Sequence, residues 1–202
     1  MGKKLDAARR ELDLARSALA KMETASDVEE FDLQWKEVLG RLTRLWNKTQ
    51  ASLKGDPRFT NAPQVKAVQS DLKSDPLVQY LARARDADEH RSEDITGKIE
   101  AGVRFEFDTP KGKLFMRAPN ITLDDGTELK ATVRGASREY FAPAEVYAVT
   151  VNHRGKAYAP PNSHAGRALE DMRPITLARL GIEYYERFLE SMARDGWDVD
   201  VK

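Results

Sequence analysis

The sequence predicts an α+β protein: an N-terminal antiparallel helical bundle, a small inserted antiparallel β-sheet and an amphipathic C-terminal helix. Three observations lead there. Apolar residues recur three and four apart from Leu5 to Leu45, alternate strictly with polar ones from Ile99 to Phe107, and return to helical spacing after Pro174. This divides the chain into a bundle over residues 1–95, a sheet over 96–161, and a loop with the closing helix over 162–202.

The first helix is expected over Lys4 to Met22, with Leu5, Ala8, Leu12, Ala15, Leu19 and Met22 on one stripe. The second opens at Ser26, where Ser26-Asp27-Val28-Glu29 fits a capping box, and carries Phe31, Trp35, Val38, Leu42 and Leu45. Gly55-Asp56-Pro57 ends it. The two stripes suit an antiparallel pair within one chain; a coiled-coil dimer is the alternative. A shorter helical piece spans Val65 to Leu72, and then Asp75 caps a helix with Pro76 in its first position, where a missing N–H costs nothing.

Ile99, Ala101, Val103, Phe105 and Phe107 next mark a half-buried strand. Turn signals at residues 108–112, Asp124-Asp125-Gly126 and Asn152-His153-Arg154-Gly155 separate apolar runs at 114–116, 129–133 and 146–151, so the sheet should hold about four to six strands. Pro160-Pro161 closes it. The last helix begins at Pro174 and aligns Ile175, Ala178, Ile182, Tyr185, Leu189 and Met192 before Asp195-Gly196 stops it. Its stripe must bury either on the bundle or across the sheet.

Composition narrows the function classes. Cysteine is absent, so disulfides and thiolate metal sites are excluded. The first residues are too charged for a secretory signal and no run reaches membrane-spanning length, so a cytoplasmic location without membrane attachment is expected. Lys plus Arg and Asp plus Glu are both 33, so any basic face must be local and offset elsewhere. Phosphate-binding, dinucleotide and nucleophile-elbow glycine patterns are missing, and Asp124-Asp125-Gly126 lacks the ligand ladder of a calcium loop. His153 and His164 fall in loops without ligand-spaced neighbours, so no metal or other cofactor is expected.

The chemistry-bearing residues crowd one helix, DPLVQYLARARDADEHRSED, residues 75–94. At about 100 degrees per residue, Leu77, Tyr80, Leu81, Ala84 and Ala87 gather on one face, and Arg83, Asp86 and His90 form a stripe beside it. Asp88 falls on the apolar face, with Arg85 its nearest cation. One reading is a structural salt-bridge seam in a non-catalytic protein-interaction module. The other begins from Arg85-Asp86-Ala87-Asp88-Glu89-His90, an arginine, a polar residue and a histidine after four intervening positions; Arg83 fits the looser six-residue spacing.

This segment resembles the RX4-6H motif of the HEPN superfamily, helical bundles that include metal-independent RNases. The resemblance covers about residues 1–95, and its specific part is six residues. It implies an endoribonuclease, of the kind found in toxins and defence effectors, that brings two motifs together in a homodimer. His90 and Arg85 or Arg83 would act on the 2′-hydroxyl and the scissile phosphate, with Asp86 beside them. Imidazole is a base near neutral pH and guanidinium a fixed cation for the phosphorane, so the chemistry suits the residues. No tyrosine follows His90 at Arg91-Ser92, which departs from the branch silenced by tyrosine modification. RNA is the expected partner, and an unidentified protein the alternative one.

Arg41, Arg44 and Lys48 run along the second helix at spacings of three and four, as a phosphate-tracking ridge or a solvated face. Trp35 and Trp46 are expected in the core, whereas Trp197 lies beyond the last helix, where exposure is the simpler expectation.

Overall fold

The computed structural model describes residues 3–91, 94–110, 112–118, 121–122, 128–129 and 136–199. It is α+β, with N-terminal helices, several small antiparallel sheets and a C-terminal helix. The chain forms two units, one of residues 1–97 with 147–202 and one of residues 98–146.

The first unit contains α1 (Asp6–Thr24), α2 (Val28–Leu53), a 3-10 turn (Phe59–Asn61), α3 (Pro63–Ser74), α4 (Pro76–Arg91) and α5 (Pro174–Arg194). Ala25 to Asp27 alone connect α1 and α2, which fold back on each other and bury Ala8, Leu12, Ala15 and Met22 in one core with Trp35, Val38, Leu42 and Leu45. The intramolecular pair is therefore the arrangement adopted. The cap of α2 sits one residue later than the capping box suggested. Asp27 accepts from the Glu30 backbone N–H at 2.7 Å, and the Glu30 side chain reaches back to Ser26 N at 3.2 Å. A carboxylate there also favours the positive end of the helix dipole.

Helix α5 buries Leu177, Ala178, Ile182, Tyr185, Leu189 and Met192 in the same core, so its stripe packs on the helices. Gly181 is what lets it approach α2 and α4 closely: a Cβ there would lie 2.6 Å from a Leu81 methyl and 2.9 Å from a Leu42 methyl. Trp35 is fully buried and Trp46 nearly so, packed edge-on against Phe188. Trp197 is buried too, contrary to its expected exposure. It meets the Phe59 ring at 6.3 Å, and the Arg58 guanidinium covers it at 4.9 Å. The turn at Asp195-Gly196 folds the chain back onto the 3-10 turn rather than out into water.

The second unit is built on β2 (Gly102–Thr109), flanked by β3 (Gly112–Ala118) and β6 (Arg138–Ala142) in the order β3-β2-β6. Phe105 stands opposite Met116 on one side and Glu139 on the other. It is buried as the alternation requires, but so is Glu106, a position the pattern assigned to solvent; Lys113 caps its carboxylate. Short β4 (Ile121–Thr122) and β5 (Glu128–Leu129) pair with each other. The expected turn at Asp124-Asp125-Gly126 and most of the apolar run 129–133 lie outside the described residues.

Strand β1 (Thr96–Ile99) pairs with β7 (Glu145–Ala148), and two hairpins follow in the first unit: β8 (Val151–His153) with β9 (Lys156–Tyr158), and β10 (Ser163–His164) with β11 (Arg167–Ala168). Instead of one sheet of four to six strands, the described residues form separate two- and three-stranded pieces. Among them, no helix is long and apolar enough to cross a membrane.

Candidate active site on helix α4 and the β8–β9 hairpin

Helix α4 is held at its start and along its following turns by contacts from the later part of the chain. At its start, Asp75 Oδ1 accepts from Val78 N at 3.0 Å, while Oδ2 accepts from Ala165 N at 2.8 Å; His164 Nδ1 lies 3.1 Å from Oδ1. Burial pushes the Asp75 carboxyl up, but the two backbone donors and His164 outweigh it, so the group sits below its ordinary value. Asp75 is therefore a helix cap and the anchor of the β10–β11 hairpin at once. One turn into α4, the Tyr80 hydroxyl donates to the Val149 carbonyl at 2.8 Å, which sets the chain entering β8 against the helix.

That contact decides what lies beyond it. Tyr80, Arg83 and Asp86 are three residues apart and share a face, so the next two turns present Arg83 and Asp86 to the hairpin. Arg83 Nη1 donates to Asp86 Oδ2 at 3.0 Å and lies 3.5 Å from His153 Nε2; His153 Nδ1 is 3.7 Å from the same carboxylate oxygen. The turn of the hairpin uses two positive-φ residues, Arg154 at 51° and Gly155 at 79°, which suits the right-handed twist of a two-residue loop. Around the triad opens a pocket of about 520 Å³ lined by Arg83, Asp86, His153, Arg154, Lys156 and Tyr158. The Tyr158 ring supports two of its cations, with Arg83 5.9 Å and Lys156 5.1 Å from the centroid.

The predicted residues divide around this pocket. Arg83 and Asp86 line it. Arg85 turns away, bonding Asp86 Oδ1 at 3.3 Å and Glu89. His90 keeps its place near the end of α4, and its side chain lies outside the described residues. Asp88 does not pair with Arg85. Its partner is Lys36 of α2 at 3.2 Å; Lys36 also holds Asp32 at 2.8 Å, and that carboxylate, with Asp88, raises the lysine above its ordinary value.

Arg41, Arg44 and Lys48 do not line the pocket. Arg41 reaches Glu11 at 2.9 Å and Glu37 at 2.6 Å, and Lys48 also bonds Glu11, so two of the three secure α1 to α2; Arg44 is exposed. Glu11 is buried, which pushes its carboxyl up, yet Lys48 and Arg41 together hold it below its ordinary value.

Sequence spacing missed His153. It lies 67 to 70 residues from Asp86 and Arg83, and only the hairpin signal Asn-His-Arg-Gly marked its surroundings. Among the described residues, no group of three or more His, Asp or Glu is arranged to hold a metal ion. Protein-family models, curated proteins and solved structures give no match to this chain.

Proposed function

We propose that the protein is a metal-independent endoribonuclease of HEPN type. The observation that carries this reading is the convergence of Arg83, Asp86 and His153 in an open pocket with two further cations. RNA cleavage without a metal needs a base for the 2′-hydroxyl, a cation for the phosphorane and an acid for the leaving oxygen. His90, from the motif, takes the 2′ proton as the 2′-oxygen attacks phosphorus. Arg83 stabilises the equatorial oxygens; its Nη2 has no partner among the described residues, whereas Arg85 is committed to two carboxylates. His153, oriented by Asp86, gives its proton to the 5′-oxygen as the phosphorus bond breaks. The products are a 2′,3′-cyclic phosphate and a 5′-hydroxyl, and the cycle closes when His90 and His153 exchange protons with water.

The HEPN resemblance adds a homodimer in which two such motifs meet, and an activity directed at cellular RNA, as a toxin or defence effector would need. The test is cleavage of mixed single-stranded and structured RNA in EDTA, beside His90→Ala, His153→Ala and Arg83→Ala. Cyclic phosphate ends, with a loss of about 100-fold or more in each folded variant, are expected. A protein that leaves RNA intact, or variants that all cut alike, would sink the reading. Light scattering of the purified chain tests the dimer.

A second reading is favoured by the pairing of Arg85 with Asp86 and Glu89 and of Asp88 with Lys36. In it α4 is a salt-bridge seam of a non-catalytic interaction module. Arg85→Ala would then lower the melting temperature, and no variant would affect RNA.

A further inference from the structure

We infer that the β8–β9 hairpin and Arg83 form a binding site for the phosphate backbone of a single-stranded polynucleotide. The site deepens the nuclease reading by naming where the strand lies, and it takes its class of occupant from that reading.

The charge is local, as a chain of net charge zero requires. Three cations, Arg83, Arg154 and Lys156, line the pocket against one carboxylate, Asp86, giving an excess of two positive charges before His153 is counted. Asp86 is already divided between Arg83, Arg85 and His153, so it screens the hairpin little. Arg154 and Lys156 are exposed and have no carboxylate partner among the described residues, unlike Arg41 and Lys48 on α2. These two are held at a turn and left open.

The geometry suits a chain of phosphates better than one anion. Arg154 stands at the tip of the turn, Lys156 opens β9 two residues later, and Arg83 comes from α4, so cations from two elements line one pocket. The Tyr158 ring fixes Lys156 and Arg83 through cation–π contacts, which limits the side-chain entropy lost on binding. A volume of about 520 Å³ exceeds what one phosphate needs and accommodates a nucleotide unit. The guanidinium groups of Arg83 and Arg154 favour the paired oxygens of a phosphodiester. One phosphate on Arg154 and Lys156 leaves the next over Arg83 and His153, where the proposed bond would break.

The experiment is fluorescence anisotropy with a labelled 2′-O-methyl RNA decamer, which cannot be cleaved, titrated with the full chain at several salt concentrations. DNA of the same sequence and polyglutamate of matched charge are the other two probes. The variants are Arg154→Asn with Lys156→Gln, asparagine being chosen because it tolerates the positive φ, and Arg44→Gln on α2 as a comparison.

Binding of both nucleic acids is expected, at least tenfold weaker in the hairpin double variant, whose salt slope should fall by about 1.4, or about 0.7 per lost phosphate contact. Equal binding of polyglutamate, an equal loss in Arg44→Gln, or no change in the hairpin variant with its melting temperature preserved would each overturn the inference. The two readings fail separately. RNA cut normally by the hairpin variant with unchanged binding removes this site and keeps the nuclease; hairpin-dependent binding without any cleavage keeps the site and removes the nuclease.

Discussion

Glu11 shows what a single buried charge does here. Its carboxylate is buried between α1 and α2 and satisfied by Arg41 and Lys48, so the residues that resemble a phosphate ridge in sequence are largely spent on holding two helices together. Glu11→Gln should cost about 1 to 3 kcal/mol in denaturant unfolding, at the lower end of broken buried pairs because both cations keep some contact with water. The pH dependence follows from the same group. Its folded value lies below the ordinary 4.5, so its contribution is complete above that value and is lost as pH falls through the lower folded one. Asp75, depressed from 3.8, acts in the same direction, and Asp75→Ala should cost about 1 to 3 kcal/mol by removing a cap together with the Ala165 and His164 contacts. Thermal melts between pH 3 and 7 should therefore show wild-type stability falling on the acid side, with a shallower fall in each variant. A variant curve parallel to wild type would mean that the carboxylate removed in that variant is not coupled to folding. Asp88 teaches the complementary lesson. A helical wheel places it on the apolar face and offers Arg85, but its cation is Lys36 of another helix, which no local spacing reveals.

At the scale of elements, the helices were legible because each announces itself within its own residues: three-and-four spacing, Pro76 and Pro174 at first positions, Gly196 at a stop. Partnership between elements was not. The Leu5 to Leu45 stripes fit either a dimer or an intramolecular pair, and the α5 stripe fits either a bundle or a sheet, because burial satisfies the pattern in both cases. What decides for α5 is Gly181, which lets the helix backbone approach Leu81 of α4 and Leu42 of α2. Beside that contact lies a cavity of about 50 Å³ lined by Leu39, Leu42, Trp46, Leu81 and Tyr185. Gly181→Ala should change stability by less than about 1 kcal/mol, since a gain in helix propensity of similar size offsets the shift of two leucine methyls toward that space. Gly181→Val adds branches that the space does not hold, and should cost about 3 kcal/mol by denaturant titration. Equal effects of the two would show that the close approach is not what docks α5. The candidate site was half legible for the same reason. Arg83 and Asp86 share a helical stripe that the sequence displays, whereas His153 joins them only through the Tyr80 contact and the hairpin.

On the scale of the whole molecule, the site and the second unit are separable. Every residue lining the pocket belongs to the unit made of residues 1–97 and 147–202, as do the Asp75 and Tyr80 contacts that position it. The two ends of that unit's chain already meet. Val149 N donates to Ile95 O at 3.4 Å, and the Tyr147 ring packs on Gly97 so closely that a Cβ there would lie 2.3 Å from it. Residues 98–146 bury Phe105 and Ala142 outside the main core, whose residues come from the helices and the turns beside them, with Ile95, Ala148 and Val151. Replacing 98–146 by a four-residue Gly-Ser linker should therefore leave a cooperative thermal transition, because loop closure between adjacent ends costs little and no side chain of the main core is removed. The helical far-ultraviolet signal should persist, and the decamer should bind within a factor of about three of the full chain, the phosphate-facing cations being intact. A non-cooperative melt would place residues 98–146 among the determinants of the helical fold. A cooperative melt with lost binding would move the strand's path onto the second unit, and with it the search for what this protein recognises.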